Sequence, residues 1–183
     1  MLWMFRTATE RGRNGRHGSA ITPAASRCTL HGAETASMVM RTVAGGCTGE
    51  DVEDLRAWLR ALDGGPHVDE VVVLGCGAHE DDRPTWAYVE ADARTGLARR
   101  RCLQCGTAVA LLDSAERWSH PPMHACGGCG ASILEVAAGL SLPDGDRVEW
   151  VVVGARCVGC GRLAGLTDML LPPTPVAEVL ERL

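Results

Sequence analysis

The sequence contains no lysine; all 18 of its basic residues are arginine. It is also poor in large rings, with one Phe, one Tyr and five Trp in 183 residues. So few aromatics fill little of a core, and another source of stability is expected. Small domains with thin cores are often stapled by metals or disulfides. The aliphatic runs are short: Val71–Leu74 is far from the roughly 20 apolar residues that span a bilayer. Met1–Phe5 is too short for the apolar part of an export signal. There is no Gly-rich phosphate loop after a strand, no Gly-x-Ser-x-Gly turn and no His-Glu-x-x-His motif. The Asp81-Asp82 pair reads as a solvated turn rather than an acid/base pair. Membrane spanning and familiar hydrolytic or nucleotide chemistry are therefore not expected, and the chain reads as non-catalytic.

What the chain does have is nine cysteines, six of them in three Cys-x-x-Cys pairs: Cys102/Cys105, Cys126/Cys129 and Cys157/Cys160. An odd count without an export signal points to thiols in a reducing cytoplasm rather than to a disulfide framework. Three pairs cannot fill tetrahedral sites evenly. Cys76-Gly77-Ala78-His79 supplies a fourth pair, with histidine in the last place. It aligns with Cys126-Gly127-Gly128-Cys129 at an offset of 50, while Arg101–Gly106 aligns with Arg156–Gly161 at 55. At the second offset Leu111 matches Leu166 and Asp113 matches Asp168. The order reads as a tandem repeat of pair, hairpin, pair and short apolar tail.

Two four-ligand sites follow. Cys76, His79, Cys102 and Cys105 are assigned to the first, and Cys126, Cys129, Cys157 and Cys160 to the second. His120 and His124 are the substitutes for His79, and a crossed pairing of the motifs is the other alternative. Two intervening residues let both ligands of a pair reach one ion, and glycines let backbone amides turn toward the sulfurs. Sites closed by four protein ligands are structural. Their binding energy is folding energy, on the order of 10 kcal/mol for small zinc modules.

The rest of the chain arranges itself around these motifs. Residues 1–37 carry Arg6, Arg11, Arg13, Arg16 and Arg27 without apolar periodicity, and read as a disordered extension, either a targeting peptide or a segment before a true start at Met38 or Met40. Cys28 and His31 fall there and receive no role. Residues 38–70 form an N-terminal strand/helix segment whose helix, Gly49–Leu62, is capped by Thr48 with Val52, Leu55, Trp58, Leu59 and Leu62 on one face. Residues 71–113 form the first metal unit, with strands at Val71–Leu74, Trp86–Asp92 and Leu97–Arg101. A linker at 114–125 leads to the second unit at 126–172, with strands at Ser132–Leu142 and Val148–Ala155. Residues 173–183 form a last helix, opened by Thr174-Pro175. Trp58, Trp86, Trp118 and Trp150 are expected in the core or packed on hairpins, and Cys47 as a small packing residue.

Paired Cys knuckles at the ends of a hairpin resemble the zinc-ribbon class over Val71 to Asp168. The resemblance implies a small α+β fold, tandem zinc-ribbon hairpins with flanking N- and C-terminal helices, holding two zinc ions. Cys126-x-x-Cys129-Gly and Cys157-x-x-Cys160-Gly also resemble the rubredoxin knuckles. That implies the alternative of iron and electron transfer at the second site, although the rubredoxin aromatic core is missing. Residues 38–183 hold 13 Arg against 21 Asp or Glu, a net charge of −8. Such acidity disfavours nucleic acid as a partner. Arg99-Arg100-Arg101 keeps a nucleic-acid-binding zinc-ribbon regulator as an alternative, but Arg101, Arg156 and Arg162 are better taken as countercharges beside thiolates. The expectation is a cytoplasmic zinc-binding module that contacts a protein partner.

Overall fold

The computed structural model describes residues 41–43, 46–79 and 85–183. Residues 1–37, with Cys28 and His31, and the Asp81-Asp82 pair lie outside these. In chain order the elements are β1 (Arg41–Val43), β2 (Gly46–Thr48), α1 (Val52–Arg60), β3 (Glu70–Val73), β4 (Ala87–Asp92), β5 (Leu97–Cys102), β6 (Ala108–Ala110), β7 (Leu134–Ser141), β8 (Arg147–Cys157), β9 (Leu163–Pro175) and α2 (Val176–Glu181). β1 pairs with β2, and the other seven strands make one sheet in the order β6-β5-β4-β7-β8-β9, with β3 beside β7.

This corrects the expected fold class. The chain is mostly antiparallel β-sheet with two short helices, not a helix-flanked zinc-ribbon α+β protein. Strands from both metal units share the sheet, and two of those strands were not expected. β6 is only Ala108-Val109-Ala110, and β9 runs through Pro172, Pro173 and Pro175, which read as strand breakers. Both lie at sheet edges, where one side of the strand makes no ladder bonds and proline is tolerated.

β7 and β8 form the centre, and their side chains alternate as a strand requires. Val136, Ala138, Leu140, Val151 and Val153 enter one core, while Ala137, Trp150 and Val152 enter another on the opposite face. The second core is closed by α1, whose Leu55 and Leu59 are fully buried. Full burial of a leucine is worth about 1.5–3 kcal/mol, so these two residues anchor the helix. A Cβ on Gly154 would meet Leu59 Cδ2 at 2.8 Å, so the helix seats where the strand carries no side chain. The helix cap differs from expectation. Asp51, not Thr48, caps it, accepting from the amides of Glu53 and Asp54, while Thr48 lies in β2. The first core is larger. The sheet curls until β4 and β5 touch β9, and Val179 and Leu183 of the C-terminal segment are buried in that core. Pro175, not Thr174, is the cap position of α2.

β4 and β7 meet at one antiparallel pair, Ala87 opposite Leu134. Each strand begins at that pair, so the hairpins β4–β5 and β7–β8 lead away from it in opposite directions. Beside each hairpin runs the segment that leads into the other unit's first ligand. Val73 pairs with Ala137, and Leu74 N–H donates to Val136 O at 2.9 Å. Correspondingly, Met123 bridges Glu90, and His124 N–H donates to Val89 O at 2.7 Å. Cys102 pairs with Ala87 and Leu134 with Cys157, so Cys102, Ala87, Leu134 and Cys157 stand in one row across four strands. At a strand spacing of about 4.8 Å, the row places the two cysteines roughly 14 Å apart.

Candidate metal centres

Local backbone structure aims the ligands. Cys102 ends β5 and Cys157 ends β8. After each, the chain turns back through a glycine with φ of +73°, Gly106 and Gly161. Gly106 N–H donates to Cys102 O at 3.0 Å and Gly161 N–H to Cys157 O at 2.8 Å. The turns direct amides at sulfur: those of Gln104 and Cys105 at Cys102, and those of Gly159 and Cys160 at Cys157. Gly128 N–H lies 3.4 Å from Cys126 Sγ. In the first unit Cys76 N–H donates to Thr85 Oγ1 at 2.9 Å, and His79 N–H to Cys76 O at 3.0 Å.

The structure gathers the eight expected side chains into the two expected quartets, Cys76/His79/Cys102/Cys105 and Cys126/Cys129/Cys157/Cys160, with donor atoms within 4.8 Å of one another. No crossed grouping occurs among the described residues. Cys76 Sγ lies 3.6 Å from Cys105 Sγ, and Cys102 Sγ 3.5 Å from His79 Nε2. In the second quartet Cys126–Cys160 and Cys129–Cys157 are both 3.6 Å. Zn–S bonds of about 2.3 Å set at tetrahedral angles separate two sulfurs by about 3.8 Å, whereas a disulfide holds them at about 2.05 Å. The seven cysteines of the quartets are free thiols, and their spacing fits a four-coordinate ion.

Electrostatics also fit a cation. Cys160 has the amide of Arg162 lowering its pKa, yet burial and the neighbouring thiols push it up to about 12. Cys105 goes the other way, to about 6, led by the Thr107 hydroxyl. Cys126, though burial raises it, is brought down to about 7 by the amides of Gly128 and Cys129 and by neighbouring thiols. Burial and crowding thus oppose ionisation of Cys160, while hydrogen bonds favour the thiolates of Cys105 and Cys126. In each quartet the inner ligands are buried, Cys76 with Cys102 and Cys126 with Cys157, while Cys105, Cys129 and Cys160 reach the surface.

The expected countercharges need revision. Arg156 donates to Glu135 Oε2 at 2.6 Å, to Gly49 O at 3.0 Å and to Glu50 O, tying the chain before α1 to β8. Arg162 runs beside Gly128 and the Cys160 side of the second centre. Arg101 is exposed. The residue that sequence reasoning missed is Arg100, which is 7 % exposed. Burial lowers its pKa, and the charges of Cys76 and Cys102 oppose that. It shares a strand face with Ala98 and Cys102, so alternation along β5 carried the signal. Arg99 is held by Glu90 in a two-pronged pair and lies 4.3 Å above the Trp118 ring. The three arginines therefore do not form one basic patch.

His120 and His124 are in neither quartet. His124 lies close to the second centre beside Cys126 and Cys157, and burial lowers its pKa. Cys47 is buried in the α1 core as expected. Trp58 and Trp150 are buried, whereas Trp86 is 48 % exposed. An open cleft of about 740 Å³ lies between Gly64–Pro66, Thr95–Gly96 and β9. Its lining polar groups include self-paired ones, Arg117 with Asp113 and Trp150 Nε1 with Asp168. No helix among the described residues is long and apolar enough to cross a membrane. Compared with known proteins, the chain matches no family model, no curated protein and no solved structure.

Proposed function

We propose that the chain is a non-catalytic zinc-binding protein whose two structural centres belong to two copies of one pair–hairpin–pair unit, and that it serves as a protein-interaction or assembly module in the cytoplasm. The observation that carries the reading is the spacing of the quartets, with closest donor separations of 3.5–3.6 Å. Each quartet supplies four donors from the protein, which leaves no open position for substrate or water. The histidine in the first quartet favours zinc over an all-thiolate iron centre there. The unit repetition is supported by matched backbone bonds. Cys102 N–H to Thr107 O corresponds to Cys157 N–H to Arg162 O, and Leu103 N–H to Trp86 O corresponds to Val158 N–H to Ile133 O.

Metal content and the visible spectrum of the full chain, purified without added metal, test this reading. About two zinc ions per chain and no colour are the expected result, from the two closed quartets. One ion per chain would remove Cys76/His79 from the ligand set. A red protein that bleaches on reduction would replace zinc with iron at Cys126, Cys129, Cys157 and Cys160.

A further inference from the structure

The two centres match in backbone but not in cover. At the second, the segment Gly46–Glu50 lies across the turn. Thr48 bridges Arg162, Gly49 N–H donates to Gly161 O at 2.9 Å, and Arg156 holds the carbonyls of Gly49 and Glu50. A Cβ on Gly161 would stand 2.5 Å from Gly49 O, whereas one on Gly106, with the same φ, would have nothing within 4 Å. Position by position the first centre is bare where the second is covered. Arg101, Leu103, Gly106, Thr107 and Ala108 are exposed, and their counterparts Arg156, Val158, Gly161, Arg162 and Leu163 are half-buried or buried.

The bare edge has the means to receive a strand. Cys102 N–H donates to Thr107 O and Leu111 N–H to Ala98 O. This alternation leaves the amides of Ala108 and Ala110 pointing outward from β6, which ends the sheet. An uncovered strand edge is a template for pairing with another segment. Charge then selects the occupant. Arg156 faces Glu135 across the ladder, but Arg101 faces Tyr88 in the corresponding pair and makes no ion pair among the described residues. Trp86 and Leu103, 48 % and 37 % exposed, add apolar surface beside it.

We propose that the outer edge of β6, beside the first metal centre, docks an extended acidic peptide segment of a partner protein, which pairs with Gly106–Ala110 as Gly46–Glu50 pairs beside the second centre. The inference deepens the interaction role proposed above and rests on it. The peptide backbone supplies the ladder bonds, its carboxylates meet Arg101, and the metal-clamped turn holds the edge rigid.

The test titrates the isotope-labelled full chain with an acetylated peptide of residues 46–54 carrying Cys47→Ser, and with the same peptide after Glu50→Gln, Asp51→Asn, Glu53→Gln and Asp54→Asn. The expected result is saturable amide shifts confined to Arg101 and Gly106–Ala110 by about 1 mM peptide. Ala108→Pro, which removes an outward amide on an edge strand, should abolish them. Arg101→Glu, or the neutral peptide, should weaken binding about tenfold or more. The absence of shifts at that concentration, shifts elsewhere, or shifts that survive Ala108→Pro would overturn the proposal. So would a concentration-dependent dimer dissolved by Ala108→Pro, which would make a second copy the occupant, or displacement of the peptide by a DNA or RNA oligonucleotide. Metal is measured on the same samples. Two ions with no docking refutes the docking site alone, whereas a metal-free chain refutes the functional reading and the docking site with it.

Discussion

Gly161→Ala and Gly106→Ala form a matched pair of perturbations. Both glycines follow the last ligand of a quartet, both have φ of +73°, and both donate to the carbonyl of a ligand cysteine. Holding alanine in the left-handed region costs about 1–2 kcal/mol at either position. The new methyl then meets different surroundings. At Gly106 it enters open space, while at Gly161 it would sit 2.5 Å from Gly49 O. A neighbouring carbon and carbonyl oxygen ordinarily approach no closer than about 3.3 Å, so the backbone before α1 must shift by most of an ångström. That shift breaks the Gly49–Gly161 bond and loosens the Arg156 grip on Gly49 and Glu50. Overpacking of this kind costs about 1–3 kcal/mol beyond the backbone strain. Gly161→Ala should therefore destabilise the chain by about 2–5 kcal/mol in total, and Gly106→Ala by only the backbone part of about 1–2 kcal/mol. The assay is urea unfolding of both variants at one fixed free-metal concentration, followed by tryptophan fluorescence and far-ultraviolet circular dichroism. Equal losses for the two variants would refute the claim that the second turn is covered and the first is not.

The other expectations are simpler. Cys157→Ser should lower bound metal by about one ion per chain and strip hydrogen-exchange protection from β8 and β9; a folded variant with full metal would contradict a structural role for the second quartet. Arg156→Ala removes the partner of Glu135, both ends of that pair being 13 % exposed, and should cost about 3–5 kcal/mol. Arg101→Ala should stay within about 0.5 kcal/mol of the parent; comparable losses in thermal unfolding would show that Arg101 has a partner after all. Trp150→Phe deletes the 3.0 Å bond to Asp168 Oδ2 and should cost about 1–3 kcal/mol, with Asp168→Asn retaining more of the stability than Trp150→Phe.

The quartets were legible because each pair of ligands lies within four residues and the two offsets align the motifs without the fold. β7 and β8 were legible as apolar runs on either side of the Pro143–Asp146 turn, and α1 because its apolar period of 3.6 residues is uninterrupted. The rest depended on tertiary placement. Ala108-Val109-Ala110 is too short to announce a strand, and Pro172, Pro173 and Pro175 signal a break unless the strand is known to lie at an edge. Thr48 and Asp51 are both good caps in sequence; the pairing of β2 with β1 and the Arg162 bridge take Thr48 out of contention. The single pair Ala87–Leu134 that joins the hairpins leaves no trace in composition or spacing. Missing it produced the image of two separate ribbons between helices.

That single pair, with the crossing lead-in segments around it, makes the two halves halves of a clasp. A cut between residues 114 and 122 yields one piece with a full first quartet and one with a full second. Each piece keeps its ligands but surrenders the segment that completes the other's sheet: Val73 and Leu74 leave with the first, Met123 and His124 with the second. Mixed together, the pieces have cause to find one another, and a chain nicked in this stretch should stay whole through the strand pairs that cross between them.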